Sequence, residues 1–547
     1  MRSTPFRLRQ ALTLLALVLL SEPVAAAPPA GWIQPAGIDG SLIIAGGGEL
    51  PASIIDSFIE LAGGRQAQLV IIPTASVRAD DQKASQQILE QWKKYPHASV
   101  TLLHTRDRQT ADSEDFVQPL LKASGVWIGG GSQSRIAEAY LGTRVEKELV
   151  RLLERGAVIG GSSAGAAIQS RVMIASGKTE AVVKKGFDLL PGSVIDQHFS
   201  QRDRLARLLG VVDDQPDRFG VGIDENTALL VRGREVRVLG EGTVTLCLGK
   251  TAYREAEQSV LPAGAFLDLT SIRRHLRDRN QPPFPAEKPP TIEVKRGSLV
   301  IVGGGGMPAD VTSRFIELAG GKDALIVVLP TAMPDPLPAN QGGGFFACAG
   351  ATNVKVLPAR RLADVEAAEN LKWLRKADAI WFGGGRQWRF MDAYEGTRAA
   401  QLMHRVLDRG GVIGGSSAGA SIQAEYLARG NPLGNTDMMA RGYERGLGFL
   451  PGAAIDQHFR QRDRFKDLAS IIDRFPQLLG IGIDEATALV VEGSTGSILG
   501  PGEVHFYDWR TRPKPGEPDH VSLAKGERYD LKNRKPLPAQ PAPVERD

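Results

Sequence analysis

Cysteine is nearly absent. Cys247 and Cys348 are the two in 547 residues, and neither sits in a C-x-x-C or histidine-bearing pattern. That excludes a disulfide framework and a thiolate metal site; a single pairing of the two is open, and two buried free thiols are the expectation. An excess of charge is also lacking: 66 basic against 62 acidic residues leave +4, too little to draw nucleic acid or an anionic membrane. Beyond residue 26 no run is long and apolar enough to span a bilayer. A dinucleotide fingerprint is incomplete, since Pro308 stands where the third glycine after Gly303 and Gly305 belongs, so no nucleotide cofactor is expected. Nothing implies a metal or another organic cofactor.

The amino terminus has a different character. Arg2, Arg7 and Arg9 precede an uncharged apolar run from Ala11 to Leu20, followed by Val24-Ala25-Ala26. This is the layout of a secretory signal peptide, too short for a stable membrane-spanning helix and expected to be cut after Ala26; the other possibility is a retained anchor. The mature chain is then exported, periplasmic or extracellular. Removing three arginines and Glu22 takes the charge from +4 to +2.

An internal repeat sets the organisation. Ser41-Leu-Ile-Ile-Ala-Gly-Gly-Gly48 returns as Ser298-Leu-Val-Ile-Val-Gly-Gly-Gly305, and Phe58-Ile-Glu-Leu-Ala-Gly-Gly64 as Phe315-Ile-Glu-Leu-Ala-Gly-Gly321. An offset near 257 residues means two complete domains, not a solenoid. The expected layout is a signal peptide over 1–26, a first domain over 38–276, a Pro-rich semi-rigid linker over 277–294, a second domain over 295–531 and a disordered tail over 532–547. Within each copy, short β-branched runs alternate with helical patterns, which predicts an α/β fold with a mostly parallel sheet covered by helices on both faces. After Gly220 closely spaced strand-like runs predict a β-rich ending to each copy.

The chemistry is concentrated at Gly160-Gly161-Ser162-Ser163-Ala164-Gly165 and its repeat, Gly414-Gly415-Ser416-Ser417-Ala418-Gly419. Each follows an apolar run and leads into a helical pattern, as in a nucleophile elbow, where small neighbours keep a serine hydroxyl clear of the backbone. Such a serine needs a base and a group to orient it. Of eight histidines, only His198 and His458 hold equivalent places, in Ile195-Asp196-Gln197-His198-Phe199 and Ile455-Asp456-Gln457-His458-Phe459. The orienting acid is sought at Gly222-Ile223-Asp224-Glu225 and Gly482-Ile483-Asp484-Glu485. One carboxylate of each pair should face the site, and alternation along a strand does not say which. The glycine turns holding Gly130, Gly131 and Gln133, and Gly384, Gly385 and Gln387, offer amides for an oxyanion hole together with those of Ala164 and Ala418. Arg202, Arg204 and Arg207 follow the first histidine and Arg462 and Arg464 the second, close enough to hold a substrate carboxylate.

Taken together, the elbow, the G-G-x-Q turn, the D-Q-H-F-x-x-R-x-R segment and the G-I-D-E strand, each present twice, resemble the serine peptidases of the dipeptidase E and cyanophycinase type. The resemblance covers most of both copies. It implies a flavodoxin-like fold related to class I glutamine amidotransferases and two Ser-His-Glu triads, Ser163, His198, Glu225 and Ser417, His458, Glu485. Gln133, Asp196, Gln197, Arg202, Arg204 and Arg207 would line one substrate cleft, and Gln387, Asp456, Gln457, Arg462 and Arg464 the other. It further implies hydrolysis of cyanophycin, a poly-aspartate backbone bearing arginine, to β-Asp-Arg dipeptides. The partner is then a peptide or cyanophycin-like polymer, with no nucleic acid and, after signal cleavage, no membrane.

The copies differ. Copy two has Asp467 where copy one has Arg207 and Arg386 where it has Ser132, and its elbow-to-histidine stretch is longer, with a glycine-rich region at Leu427 to Leu447. Two rival readings follow: an exported peptidase for other aspartyl or isoaspartyl peptides, and a secreted binding protein with one or both copies inactive. No oligomeric state is implied.

Overall fold

The computed structural model describes residues 33–334, 336 and 342–538. The expected signal peptide lies outside the described residues, as does the end of the expected tail. Each copy is built on a large sheet whose central strands are parallel. In copy one the spatial order runs Ser99–Leu102, Gln68–Ile72, Gly125–Ile128, Val158–Ser162, Ser41–Ala45, all parallel. Copy two repeats this with Val354–Val356, Ile326–Leu329, Ala379–Phe382, Val412–Ser416 and Val294–Val302.

The central strands are buried on both faces, and alternate residues divide between them. Leu42 and Ile44 join one apolar cluster, while Ile43 and Ala45 join another with Phe58 and Trp127. Helices therefore cover both sides. Ile54, Ile55, Phe58 and Ile59 are the buried stripe of the helix Ala52–Leu61, at the spacing the sequence shows.

The expectation of mostly parallel sheets is corrected: the sheets are mixed, and each copy has a second one. Thr227–Arg232, Glu235–Gly240 and Phe266–Asp268 extend the first large sheet in antiparallel order. The smaller sheet pairs Ser193–Gln197 parallel with Phe219–Ile223, then adds Thr243–Leu248 and Glu257–Pro262 antiparallel. The physical reason is connection length. Past Gly220 the runs follow one another through turns such as Arg232-Gly233-Arg234-Glu235, too short for the crossover that a parallel partner requires.

The ends of the domains also differ from expectation. The helix Leu269–Arg279 reaches into the expected linker, Phe284 stacks on Tyr426 with ring centres 6.1 Å apart, and Ile292 and Val294 are buried. A proline-rich segment with apolar side chains to bury docks instead of acting as a spacer. The tail does the same as far as it is described. Leu531 is buried, Lys535–Pro536 pairs with Arg528–Asp530, and Arg534 donates to the carbonyls of Gln477 and Leu478 while facing Asp508 at 3.2 Å. Both cysteines are free, Cys247 buried as expected and Cys348 exposed contrary to expectation. No helix among the described residues is long and apolar enough to cross a membrane.

Replacing Arg534 by Ala removes the donors of two carbonyls and one of the two arginine partners of Asp508, the other being Arg510. The expected outcome is a loss of about 1–3 kcal/mol, read as a lower midpoint in urea denaturation; an unchanged midpoint would mean that the docked end carries no stability.

Candidate active site

Ser163 stands between the strand Val158–Ser162 and the short helix Ala164–Ala167, with φ 54° and ψ −108°. Ser417 has φ 57° and ψ −114° in the same place. A non-glycine residue in left-handed backbone is strained, which is the mark of an elbow turn. The flanking glycines are dictated by contact: a Cβ on Gly161 would lie 2.2 Å from the Gly165 carbonyl oxygen, and one on Gly165 2.0 Å from that of Ile128 on the neighbouring strand.

The serine hydroxyls meet the histidines. Ser163 Oγ is 2.8 Å from His198 Nε2, and His198 Nδ1 is 2.5 Å from Glu225 Oε1. In copy two the corresponding distances are 2.9 Å and 2.5 Å, through Ser417, His458 and Glu485. A carboxylate only accepts, so Nδ1 donates to it, and in the neutral ring Nε2 is left to accept the serine proton. Burial pulls the pKa of His198 below the ordinary histidine value; the Glu225 hydrogen bond opposes this and the Arg202 and Arg204 charges add to it. His458 is lowered by the same balance, with Arg462 and Arg464.

Of each acidic pair, the glutamate faces the histidine. Asp224 turns away and is satisfied by the amides and hydroxyls of Ser200 and Thr243. In copy two, Asp484 takes the amides of Arg460 and Glu503 and faces His505. Asp484, Glu503 and His505 converge closely enough to suggest a cation site, but the Arg460 guanidinium already lies against both carboxylates.

Residues that sequence reasoning did not assign to the site hold it together. Three successive carbonyls of Ala45, Gly46 and Gly47 accept the amides of Ser163, His198 and Asn226 at 2.9, 2.8 and 2.8 Å. Val302, Gly303 and Gly304 do the same for Ser417, His458 and Ala486 at 3.0, 2.7 and 2.7 Å. Gly47 must also lack a side chain, because its Cβ would stand 2.3 Å from His198 Cε1. Gln201 Oε1 accepts the Glu225 amide at 3.0 Å, and Gln461 Oε1 the Glu485 amide at 2.9 Å. The signal was visible as repeated triple glycines, but nothing in a glycine run announces which side chain it will cradle.

Around the serine, Gly130 and Gly384 stand beside Ser163 and Ser417; a Cβ on either would touch the serine Cβ at 3.5 and 3.4 Å. Ala164 and Ala418 are the first residues of their helices, where amides have no partner within the helix. Gly131 and Gly385 adopt φ 138° and pack against the carbonyls of Ala75 and Ala332.

Most of the residues expected to line the cleft are occupied by the chain itself. Gln133 Nε2 donates to the carbonyls of Ile174 and Ala175, and Gln387 Nε2 to that of Ala428. Asp196 is 1 % exposed and held by Arg207 at 2.5 and 2.7 Å and by Arg204 at 3.3 Å, while Arg204 also donates to Gln197. Asp456 is fully buried between Arg464 at 2.8 Å and Arg429 at 3.2 Å. Arg429 came from outside the expected set, and it pairs with Asp467 as well. Neither Asp196 nor Asp456 offers a free carboxylate to a substrate guanidinium. Arg202 and Arg462 are exposed, and among the described residues they form no ion pair or hydrogen bond through their side chains.

A sequence model of Peptidase family S51 matches residues 42–239 and 299–499. The chain belongs to this family of serine peptidases, with one family region in each copy. At that level its function is hydrolytic, of the cyanophycinase and dipeptidase E kind, toward a peptide or polymer. The chain is 30 % identical over 248 residues to the cyanophycinase of Geminocystis herdmanii, covering 43 % of this chain and 90 % of that protein. It is 33 % identical over 225 residues to the cyanophycinase of Synechococcus elongatus, covering 39 % and 69 %. Among solved structures, a peptidase from an acI-B1 Actinobacterium is 25 % identical, covering 43 % of this chain and 97 % of that one, with a TM-score of 0.34. A putative peptidase E protein from Listeria monocytogenes is 18 % identical, covering 37 % and 98 %, with a TM-score of 0.30.

Removing Arg207 leaves a buried carboxylate with only the Arg204 guanidinium at 3.3 Å and the Gln197 amide at 3.0 Å among the described residues. Arg207→Met is expected to destabilise copy one by about 3–5 kcal/mol in urea denaturation, and the double variant Asp196→Leu, Arg207→Met to recover part of it, since the buried carboxylate is then gone and Arg204 keeps its bonds to Gln197.

Proposed function

We propose that the chain is an exported serine peptidase of the cyanophycinase type, with two Ser-His-Glu sites that cleave the poly-aspartate backbone of cyanophycin to β-Asp-Arg dipeptides. The observation that carries this reading is the duplicated chain from serine Oγ through histidine to glutamate, at 2.8 and 2.5 Å in one copy and 2.9 and 2.5 Å in the other. Ser163 and Ser417 attack the peptide carbonyl as His198 and His458 take their protons. Glu225 and Glu485 hold the rings in the required tautomer and stabilise the imidazolium. The oxyanion that forms lies toward the amides of Ala164 and Gly130, or Ala418 and Gly384. The imidazolium then protonates the leaving amine, and water attacks the acyl-enzyme by the reverse proton path.

Arg202 and Arg462 are the groups that favour an acidic substrate. As exposed guanidiniums whose charge reaches the histidines, they suit an acidic peptide, holding a carboxylate beside the scissile bond. This agrees with an aspartyl backbone and leaves the side-chain arginines of cyanophycin to groups other than Asp196 and Asp456.

Release of β-Asp-Arg from cyanophycin tests the reading. The Ser163→Ala, Ser417→Ala double variant is expected to lose on the order of 10⁴-fold in rate, and each single variant to report the share of one copy. Folded wild-type protein that cleaves short aspartyl peptides but not cyanophycin would move the substrate to that class, and a fully active double variant would sink the mechanism.

Because burial lowers the histidine pKa, the neutral base persists below the ordinary value of about 6.5. In the Ser417→Ala background the acid limb of kcat/KM is expected below that pH, and Arg202→Gln to raise it by removing a charge that disfavours the imidazolium. An acid limb above 7 that ignores Arg202 would mean that another group is the base.

A further inference from the structure

The two sites are supported differently, and the difference lies at the contact between the copies. In copy two, the helix Gln387–Tyr394 starts at the turn that brings Gly384 beside Ser417. The region from Leu427 to Leu447 lies against that turn: Arg386 Nη2 donates to the carbonyls of Asn431 and Gly434, and Gln387 to that of Ala428. Arg429, on the same stretch, holds Asp456, two residues before His458. The position of this helix and loop therefore sets the walls of the Ser417 site.

Both are gripped by arginines of copy one. Arg234 is bound bidentately by Asp268 of its own copy at 2.5 and 3.0 Å. From there it donates to Asp392 on the helix at 2.7 Å and to the Tyr443 hydroxyl on the loop at 2.8 Å, and it lies 4.6 Å over the Trp388 ring. Arg274 reaches Asp392 at 3.1 Å and the Met391 carbonyl at 3.0 Å, pairs with Glu395, and lies 4.6 Å over the Tyr443 ring. Tyr443 closes the network by donating to Asp392 at 2.7 Å. Arg274 and Tyr443 are 4 % and 1 % exposed, so these planar, charge-assisted contacts are shielded from water and fix geometry strongly.

Among the described residues copy one has no counterpart. By the same spacing from the glycine turn, Ser134 stands for Trp388, Glu138 for Asp392 and Leu141 for Glu395. The Glu138 side chain is 70 % exposed and, among the described residues, faces only Lys184, at 3.8 Å; Lys184 lies on a strand, Val182–Lys185, whose four residues are all exposed.

We propose that copy one is a fixed brace for the site of copy two, with Arg234 and Arg274 acting as positioning residues for Ser417 chemistry through Asp392 and Tyr443. This rests on the reading of Ser163 and Ser417 as nucleophiles. The two sites then differ in kind: the Ser417 site is held in shape by the other copy, and among the described residues the Ser163 site has no such brace.

The experiment treats the full chain with a serine-directed phosphonate, measures modification of Ser163 and Ser417 separately, and follows amide hydrogen exchange in 427–447 and in 172–185. In the Arg234→Met, Arg274→Met variant, Ser417 modification is expected to slow by on the order of tenfold or more, Ser163 to be unaffected, and exchange to rise in 427–447 alone. Ser163 is the internal control for folding. Arg274→Lys, which keeps the ion pair to Glu395, is expected to recover part of the rate; Tyr443→Phe, which removes one hydroxyl, gives a milder loss in the same direction should the double variant not fold. Equal rates and unchanged exchange in folded variants would overturn the brace, as would a wild-type protein labelled at Ser163 and never at Ser417. If neither serine of the wild type reacts, the serine mechanism falls, and unchanged exchange in 427–447 would then remove the brace independently.

Discussion

Each site depends on three backbone hydrogen bonds to one short glycine-rich loop. Ser163, His198 and Asn226 all adopt left-handed φ, at 54°, 49° and 58°, and their amides point to the consecutive carbonyls of Ala45, Gly46 and Gly47. Such conformations cost on the order of 1–3 kcal/mol each and persist where surrounding structure over-determines them. Here the over-determination has a single source. The first strand ends, and three segments distant in sequence converge on the carbonyls it leaves free. Ser163, His198 and the residue following Glu225 are thereby set by one rigid piece of backbone. Copy two preserves the scheme with Ala486 in place of Asn226, so the bond to the loop matters there and the side chain does not.

This also explains what could be read from the residues in advance. The elbow was legible because its small neighbours obey a steric rule that holds at every such turn, and the histidines because they were matched in the repeat. Glu225 over Asp224 followed only from family resemblance; strand alternation was silent, and the partners that bury Asp224 are Ser200 and Thr243, unremarkable in sequence. Gly303 and Gly305 invited a dinucleotide fingerprint that Pro308 leaves incomplete, and the use of such glycines beneath an imidazole depends on a contact across 151 positions between Gly47 and His198. Mixed sheets were half visible as closely spaced strands after Gly220. The docked linker and tail were not, because proline and charge density report chain stiffness and solubility without showing whether one phenylalanine or one arginine finds a partner.

The fate of the conserved-looking charges shows a different limit. Asp196 and Asp456 sit on equivalent strands, and each is buried completely enough that a carboxylate must be neutralised. Copy one supplies Arg207 from the helix Leu205–Asp214. Copy two has Asp467 at that place on its helix and supplies Arg429 from the loop, which then satisfies both carboxylates. A substitution that looked like the loss of a substrate-binding arginine is therefore an exchange of one internal partner for another. What is retained between the copies is the electrostatic requirement, and the element that meets it has changed.

That exchange has a structural consequence for copy two. Once its buried aspartate is held partly from the loop, the loop's position and the histidine's surroundings are no longer separate matters: Arg429 cannot move without taking from Asp456 one of its two guanidiniums, the other being that of Arg464. In copy one the same duty falls on a helix packed into its own domain through Leu208, Val211 and Val212, against Ile174 of the hairpin Val172–Lys185, and Arg207 also donates to the Gly177 carbonyl in that hairpin. A loop that must hold a buried ion pair needs external fixing, and the contact between the copies is where such fixing is found. Duplication has thus left two similar sites with different mechanical dependencies, one resting on its own fold and one on the fold of its neighbour.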